Sequence, residues 1–197
     1  MKPLIVFLVI CLVLLLPGRG TCQIWTGAIN LQIGVKELDD DDWAPLDTHL
    51  GFGILMDFRQ ETWPAGIAFD VMRSSDDVTE YDAGLGGNYD IEVNTLEIDL
   101  GVRKIFDSKR TKIRPYIGGG IGYVNAEFER FTVKTYTSIS EDDSTLGFWV
   151  DAGFHWLLSS EFSIGVDARW STAEVTMFDE KLDAGGLQYG FMVGHHW

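Results

Sequence analysis

Residues 96–103 read Leu96-Glu97-Ile98-Asp99-Leu100-Gly101-Val102-Arg103. Four apolar side chains alternate with two carboxylates, a glycine and a guanidinium. Successive side chains of a strand point to opposite faces, so this stretch is a strand with one apolar face and one strongly charged face. Outward from it, the alternation fills Ile91–Phe106. Seven further segments repeat it: Trp25–Lys36, Thr48–Phe58, Trp63–Arg73, Ile113–Ala126, Leu146–Leu157, Phe162–Ser171 and Leu187–Trp197. Helical i, i+3, i+4 spacing is almost missing after residue 22. Eight antiparallel strands of roughly ten residues are the smallest usual set for a closed transmembrane barrel.

The connections sort by length. Arg59–Thr62, Asp107–Thr111 and Leu158–Glu161 are short, whereas Glu37–Asp47, Ser74–Asp90, Glu127–Thr145 and Thr172–Gly186 are long. Tight turns on one side and long loops on the other are the habit of outer-membrane barrels, whose short turns are periplasmic. At the short-turn end the apolar parity finishes in Trp25, Phe58, Trp63, Phe106, Trp156, Phe162 and Trp197. Aromatic rings favour the membrane–water interface, so this set predicts a periplasmic girdle and turns the apolar face toward lipid. A looser set at the other end comprises Phe52, Tyr123, Phe148, Trp170 and Tyr189. The competing reading, a secreted soluble barrel whose apolar face is a core that binds an apolar ligand, has no need of such rings. The fold expected is all-β: an eight-stranded antiparallel up-and-down transmembrane β-barrel over residues 23–197.

Composition agrees with that reading. A chain of 197 residues holds one barrel and has no room for a two-domain enzyme. Its net charge of −15 argues against nucleic acid, which requires clustered Lys and Arg. Two cysteines, Cys11 and Cys22, make neither a disulfide framework nor a four-cysteine zinc site. Lys2, the apolar run Leu4–Leu16 and the small, polar exit Pro17–Cys22 have the layout of a secretory signal peptide over residues 1–22, cut after Gly20 or Cys22. Arg19 and Thr21 are poor neighbours for a lipidated cysteine. Export through this leader directs the chain to the cell outer membrane.

The leader, the eight strands, the segment Arg114-Pro115-Tyr116-Ile117-Gly118-Gly119-Gly120-Ile121-Gly122-Tyr123 and the terminal Trp197 resemble the small eight-stranded outer-membrane β-barrel proteins, the group of OmpA-, OmpX- and OmpW-like barrels. The likeness to OmpA is to its barrel half alone. The last strand is similar to the sorting signal read by the barrel-assembly machinery: Trp197, Val193 and Phe191 fit it, and His195 departs from it. The resemblance implies an integral outer-membrane protein of a Gram-negative bacterium, with lipid, lipopolysaccharide and the assembly machinery as partners, and a monomer.

By parity the lumen receives Asp57, Asp70, Glu97, Asp99, Asp151 and Asp167 against Arg103, Arg114 and Arg169, with His49, His155 and His196 nearby. An eight-stranded barrel is just wide enough to be filled by its own side chains, and charges there must pair. A symmetric turn at Leu158–Glu161 would set Asp151 opposite Asp167, with Arg169 bridging them. The network reads as a structural plug beneath acidic loops that meet the surroundings. The alternative is a narrow cation-preferring pore or small-ligand conduit. Gly118, Gly119, Gly120 and Gly122 lack the Lys-Ser/Thr and helix of a phosphate loop, and so serve bulky lumen neighbours. The acidic runs Asp39–Asp42, Asp76-Asp77 and Glu141–Asp143 are solvated surface, without the glycine and spaced ligands of a calcium loop. No Ser–His constellation is evident, so neither catalysis nor any cofactor or metal is expected.

Overall fold

A computed structural model describes residues 25–82, 87–107, 111–132 and 135–197. The leader and both of its cleavage points lie outside the described residues. The chain forms β1 (Trp25–Glu37), α1 (Asp40–Trp43), β2 (Thr48–Gln60), β3 (Gly66–Asp82), β4 (Gly87–Ile105), β5 (Ile113–Thr132), β6 (Thr137–Leu157), β7 (Phe162–Thr172), β8 (Glu174–Met177), β9 (Glu180–Asp183) and β10 (Gly186–His196). Eight of these strands close into an antiparallel barrel in the order β1-β10-β7-β6-β5-β4-β3-β2, and β8 and β9 pair as a separate hairpin. This is the all-β, eight-stranded up-and-down barrel that the alternation predicts.

Parity sorts the faces as the sequence does. Leu31, Val193 and Phe191 point outward and are 60–72% exposed, while Asp70, Asp99 and Glu97 point inward and are at most 2% exposed. A soluble barrel would bury the first group and solvate the second.

Four strands run longer than the alternation suggests. β3 and β4 pair up to Asp82↔Gly87, and β5 and β6 pair up to Thr132↔Thr137. Most of the expected loops Ser74–Asp90 and Glu127–Thr145 are therefore ladder, a four-stranded flap that rises past the rim. The other two long connections are also structured: 38–47 contains α1, and 173–185 contains the β8–β9 hairpin. Beyond the level of the apolar band the outward side chains of these strands are polar, so the apolar-out pattern stops although the strand continues.

The flap, the 38–47 segment and the hairpin build a second interior over the barrel mouth. Leu38, Trp43 and Leu46 pack with Val93, Val124 and Ala126 of the flap and with Ala173, Val175, Met177 and Ala184 around the hairpin. At the hairpin tip Phe178 (φ 52°) and Asp179 (φ 64°) are both left-handed, the two-residue turn geometry that usually takes Asn-Gly. Phe178 is held there by its edge-on contact with Phe128, ring centroids 5.3 Å apart, and by its N–H donating to Glu141 Oε2 at 3.0 Å.

Candidate functional site

At mid-height two arginines organise the lumen. Arg103 of β4 donates Nε to Asp151 Oδ2 at 3.0 Å, Nη1 to Asp57 Oδ1 at 3.1 Å and Nη2 to Asp70 Oδ2 at 2.7 Å. Arg169 of β7 donates to Asp99 and Asp70 and lies 3.6 Å from Asp151. Trp149 lies against both guanidinium groups, at 4.5 Å from Arg169 and 5.7 Å from Arg103, and donates its indole N–H to the Ile121 carbonyl. Its ring fits because Gly101 faces it, where a Cβ would come within 2.6 Å of the indole.

Two further layers flank this one. Toward the outside, Lys36 Nζ lies 2.5 Å from Glu97 Oε1, 3.2 Å from Thr95 Oγ1 and 2.8 Å from the Ala184 carbonyl, tying the barrel to the lid. Toward the short-turn end, the Tyr116 hydroxyl donates to Asp167 Oδ2 at 2.6 Å, and His155 stacks on the Tyr116 ring. Below them a cavity of about 290 Å³ opens at the mouth, lined by Asp57, Arg59, Asp107, Arg114 and His196 among others.

Two expectations about this lumen are corrected. Arg114 is not in the buried network: it is half-exposed at the mouth, its Nε 3.1 Å from Asp107 Oδ1, because it stands only one residue inside the start of β5. Asp151 does not oppose Asp167 either. The turn closes with Leu158 N–H on the Phe162 carbonyl, which sets Asp151 opposite Arg169 and Gly153 opposite Asp167. Arg169 therefore reaches Asp151 but not Asp167, which is left to Tyr116 and, at 3.4 Å, to Gln32 Nε2.

Two Ser–His contacts are also present that spacing did not reveal. His49 Nδ1 lies 3.0 Å from Ser74 Oγ, and His196 Nε2 lies 2.7 Å from Ser163 Oγ. Each joins neighbouring strands of the wall, β2 with β3 and β7 with β10, and each is buried. Lys36 and Trp149 carry more of the lumen than sequence reading assigned them, although both lie on the polar parity of their strands and were findable on that ground.

The lid is fastened by carboxylates. Asp143 Oδ2 accepts the Thr176 N–H at 2.7 Å, and Asp42 Oδ2 accepts the Asp183 N–H at 2.8 Å. Main-chain N–H groups of Thr176 and Ser144 hold the exposed Asp143 carboxyl below its ordinary range. Asp42 belongs to the acidic run read as plain surface; it turns out to be part of this fastening.

On the outer wall, the aromatics of the short-turn end gather at one level. Trp25 meets Trp63 edge-on at 5.5 Å, Phe58 lies 6.1 Å from Trp197, and Phe162 lies 5.2 Å from His195. Trp156 pairs across from Ile113 and Phe106 follows β4 at the same end. Trp63 lies in the β2–β3 turn rather than in the strand, its N–H on the Gln60 carbonyl. His195, the misfit of the sorting pattern, takes a place in this ring between Phe162 and Trp197.

A family model, that of the outer membrane protein beta-barrel domain, matches residues 24–194. The chain belongs to this family. No curated protein matches it. Solved barrels share its fold. A major outer membrane protein from Thermus thermophilus aligns with a TM-score of 0.64 at 10% identity, over 88% of this chain and 100% of that one. OprG of Pseudomonas aeruginosa aligns at 0.61 and 12%, over 89% and 97%. Ail of Yersinia pestis, solved in complex with the heparin analogue sucrose octasulfate, aligns at 0.58 and 14%, over 88% and 99%. As a member of the outer membrane barrel family, the chain resides in the outer membrane with its apolar band in lipid.

Proposed function

We propose that this outer membrane barrel is a non-catalytic structural and surface-interacting protein whose lumen is closed and whose working part is the flap and lid above the rim. The observation that carries this reading is the double filling of the barrel. Arg103, Arg169 and Trp149 occupy its middle at no more than 2% exposure each, and an apolar lid covers its outer end. A closed ring leaves no strand edge to pair within the membrane, which favours a monomer. Lipid and lipopolysaccharide contact the band between the two aromatic levels, and the β10 strand ending at Trp197 is the segment offered to the barrel-assembly machinery.

The outward face of the flap sets the kind of surface contact. Asp77 pairs opposite Glu92, and Glu92 opposite Glu129, so three carboxylates cross three strands in one row. Such a row repels polyanions like the heparin analogue bound to Ail and favours cationic groups. Single-channel recording in planar bilayers tests the closed lumen: no opening is expected at any pH. Stepwise cation-selective current would favour the pore reading instead.

A further inference from the structure

The barrel interior holds more negative charge than its cations answer. Among its buried charged residues are six carboxylates, Asp57, Asp70, Glu97, Asp99, Asp151 and Asp167, and three cations, Lys36, Arg103 and Arg169. Lys36 and Glu97 pair off, leaving five aspartates around two guanidiniums. An uncompensated buried charge is so costly that a group in this position is neutralised rather than left ionised.

The hydrogen bonds identify which aspartates go short. Asp70 accepts from both arginines and Asp151 has two bonds from Arg103. Asp167 has no ion-pair partner among the described residues: it accepts from the neutral Tyr116 hydroxyl and Gln32 amide. Asp57 has one bond from Arg103, and its Oδ2 is buried without a partner at 4% residue exposure. Asp99 Oδ1 and Asp151 Oδ1 are also unpartnered.

These free oxygens do not converge. Asp151 Oδ1 abuts Gly118, and Asp99 Oδ1 abuts Gly122 farther along β5. A hard metal cation needs several oxygens around one point, whereas a proton needs a single carboxyl. Around Asp167 stand Tyr116 of β5 with His155 against its ring, Asp151 of β6, Arg103 of β4, Gln32 of β1 and, two residues along its own strand, Arg169, whose bonds go to Asp70 and Asp99 instead. Asp57 faces Arg103, Asp70 and Asp151, with Arg59, Asp107, Arg114 and His196 at the mouth.

We propose that the lumen is a proton-binding site, in which the Asp57 and Asp167 carboxyls take up protons as the periplasm acidifies, Asp57 exchanging through the mouth cavity that it lines. The lid closes the opposite route. Each bound proton removes one unit from the excess of three, so occupancy ties lumen packing to periplasmic pH.

Infrared spectroscopy of the full barrel in lipid vesicles, in heavy water stepped from neutral to mildly acid pH, reads this directly. The carbonyl stretch of a protonated carboxyl is expected in the native protein, and Asp167→Asn and Asp57→Asn should each remove part of it. Asp107→Asn, at the exposed mouth, should leave it intact. Heat-dependent gel mobility confirms that each variant is folded, and the native band decides the matter should a variant fail. A native spectrum without that band overturns the proposal. So does a native band left whole by both folded aspartate variants, or a barrel whose thermal stability depends on sodium rather than choline at equal ionic strength, since a metal ion would then carry the charge.

Discussion

Strand β4 is two strands in one. Below the rim, Leu96, Ile98, Leu100 and Val102 face outward while Glu97, Asp99 and Arg103 face the lumen. Above it, Asp90, Glu92 and Asn94 face outward while Ile91 and Val93 join the apolar lid. The ladder runs on without a break, and β5 inverts at the same level, from Ile121 and Tyr123 outward to Glu127 and Glu129 outward. Geometry fixes which residues share a face; the medium outside decides which face is apolar. In lipid the wall's exterior must be apolar, and the interior takes the polar groups, which satisfy one another with apolar fillers such as Leu55, Met72 and Met192 between them. In water the same wall follows the soluble rule and buries its apolar side.

The largest expected effect comes from the ionic filling. Arg103→Met leaves Asp57, Asp70 and Asp151 facing one another, and breaking a buried ion pair by removing one partner costs about 3–5 kcal/mol. Urea unfolding in lipid vesicles measures it. A loss below about 1 kcal/mol would mean that the mid-barrel network is replaceable packing, at odds with the usual penalty for a stranded buried charge. A charge swap then tests the inversion itself. Leu100→Lys, on the lipid side below the rim, should cost about 2–4 kcal/mol. Glu92→Lys, outward on the same strand above the rim, should change stability by no more than about 0.5 kcal/mol. Equal costs would place both positions in one medium and sink the two-part description.

The lid should respond locally. Met177 is buried in the apolar stopper, and Met177→Ala should weaken that stopper by about 2 kcal/mol. Faster proteolytic cutting within 173–186, with the heat-dependent gel shift of the barrel unchanged, is the expected readout. Loss of the gel shift would mean that lid and barrel fold as one unit.

The inversion also explains what sequence could and could not disclose. Inside the membrane each strand carries one unbroken apolar parity, so the eight strands and the lumen position of Asp57, Asp70, Glu97, Asp99, Arg103, Asp151, Asp167 and Arg169 follow from period two alone. Where β3 to β6 leave the bilayer the apolar parity changes sides, and residues such as Ser74–Asp82 read as polar loop although they are strand. Register across a turn is a different quantity from parity. The turn after Leu157 sets the pairing two residues away from the expected match of Asp151 with Asp167, which keeps both in the lumen but puts Arg169 opposite Asp151 and Gly153 opposite Asp167. Contacts that cross the lumen, such as Lys36 with Glu97 or Arg169 with Asp70, depend on barrel closure, which no local pattern encodes.

The smallest effect concerns the fastening between the two regions. Asp143 accepts the Thr176 N–H of the hairpin, and its carboxyl is held below its ordinary value of 3.8. A group whose folded-state pKa is depressed stabilises fully above its unfolded value and loses that contribution as pH falls through the folded one. Asp143 is fully exposed, so solvent screening keeps the contribution small, and it is confined to the lid. The protection of the Thr176 amide, with the intrinsic pH dependence of exchange divided out, should therefore be flat from neutral pH down to about 4, the unfolded carboxylate range, and should fall below that. Asp143→Asn should lower protection at neutral pH and flatten the acid dependence, leaving exchange within the mid-barrel strands unaltered. An acid dependence that survives in the variant would transfer the fastening to Glu141 or Asp42, the other two carboxylates that accept from the hairpin backbone.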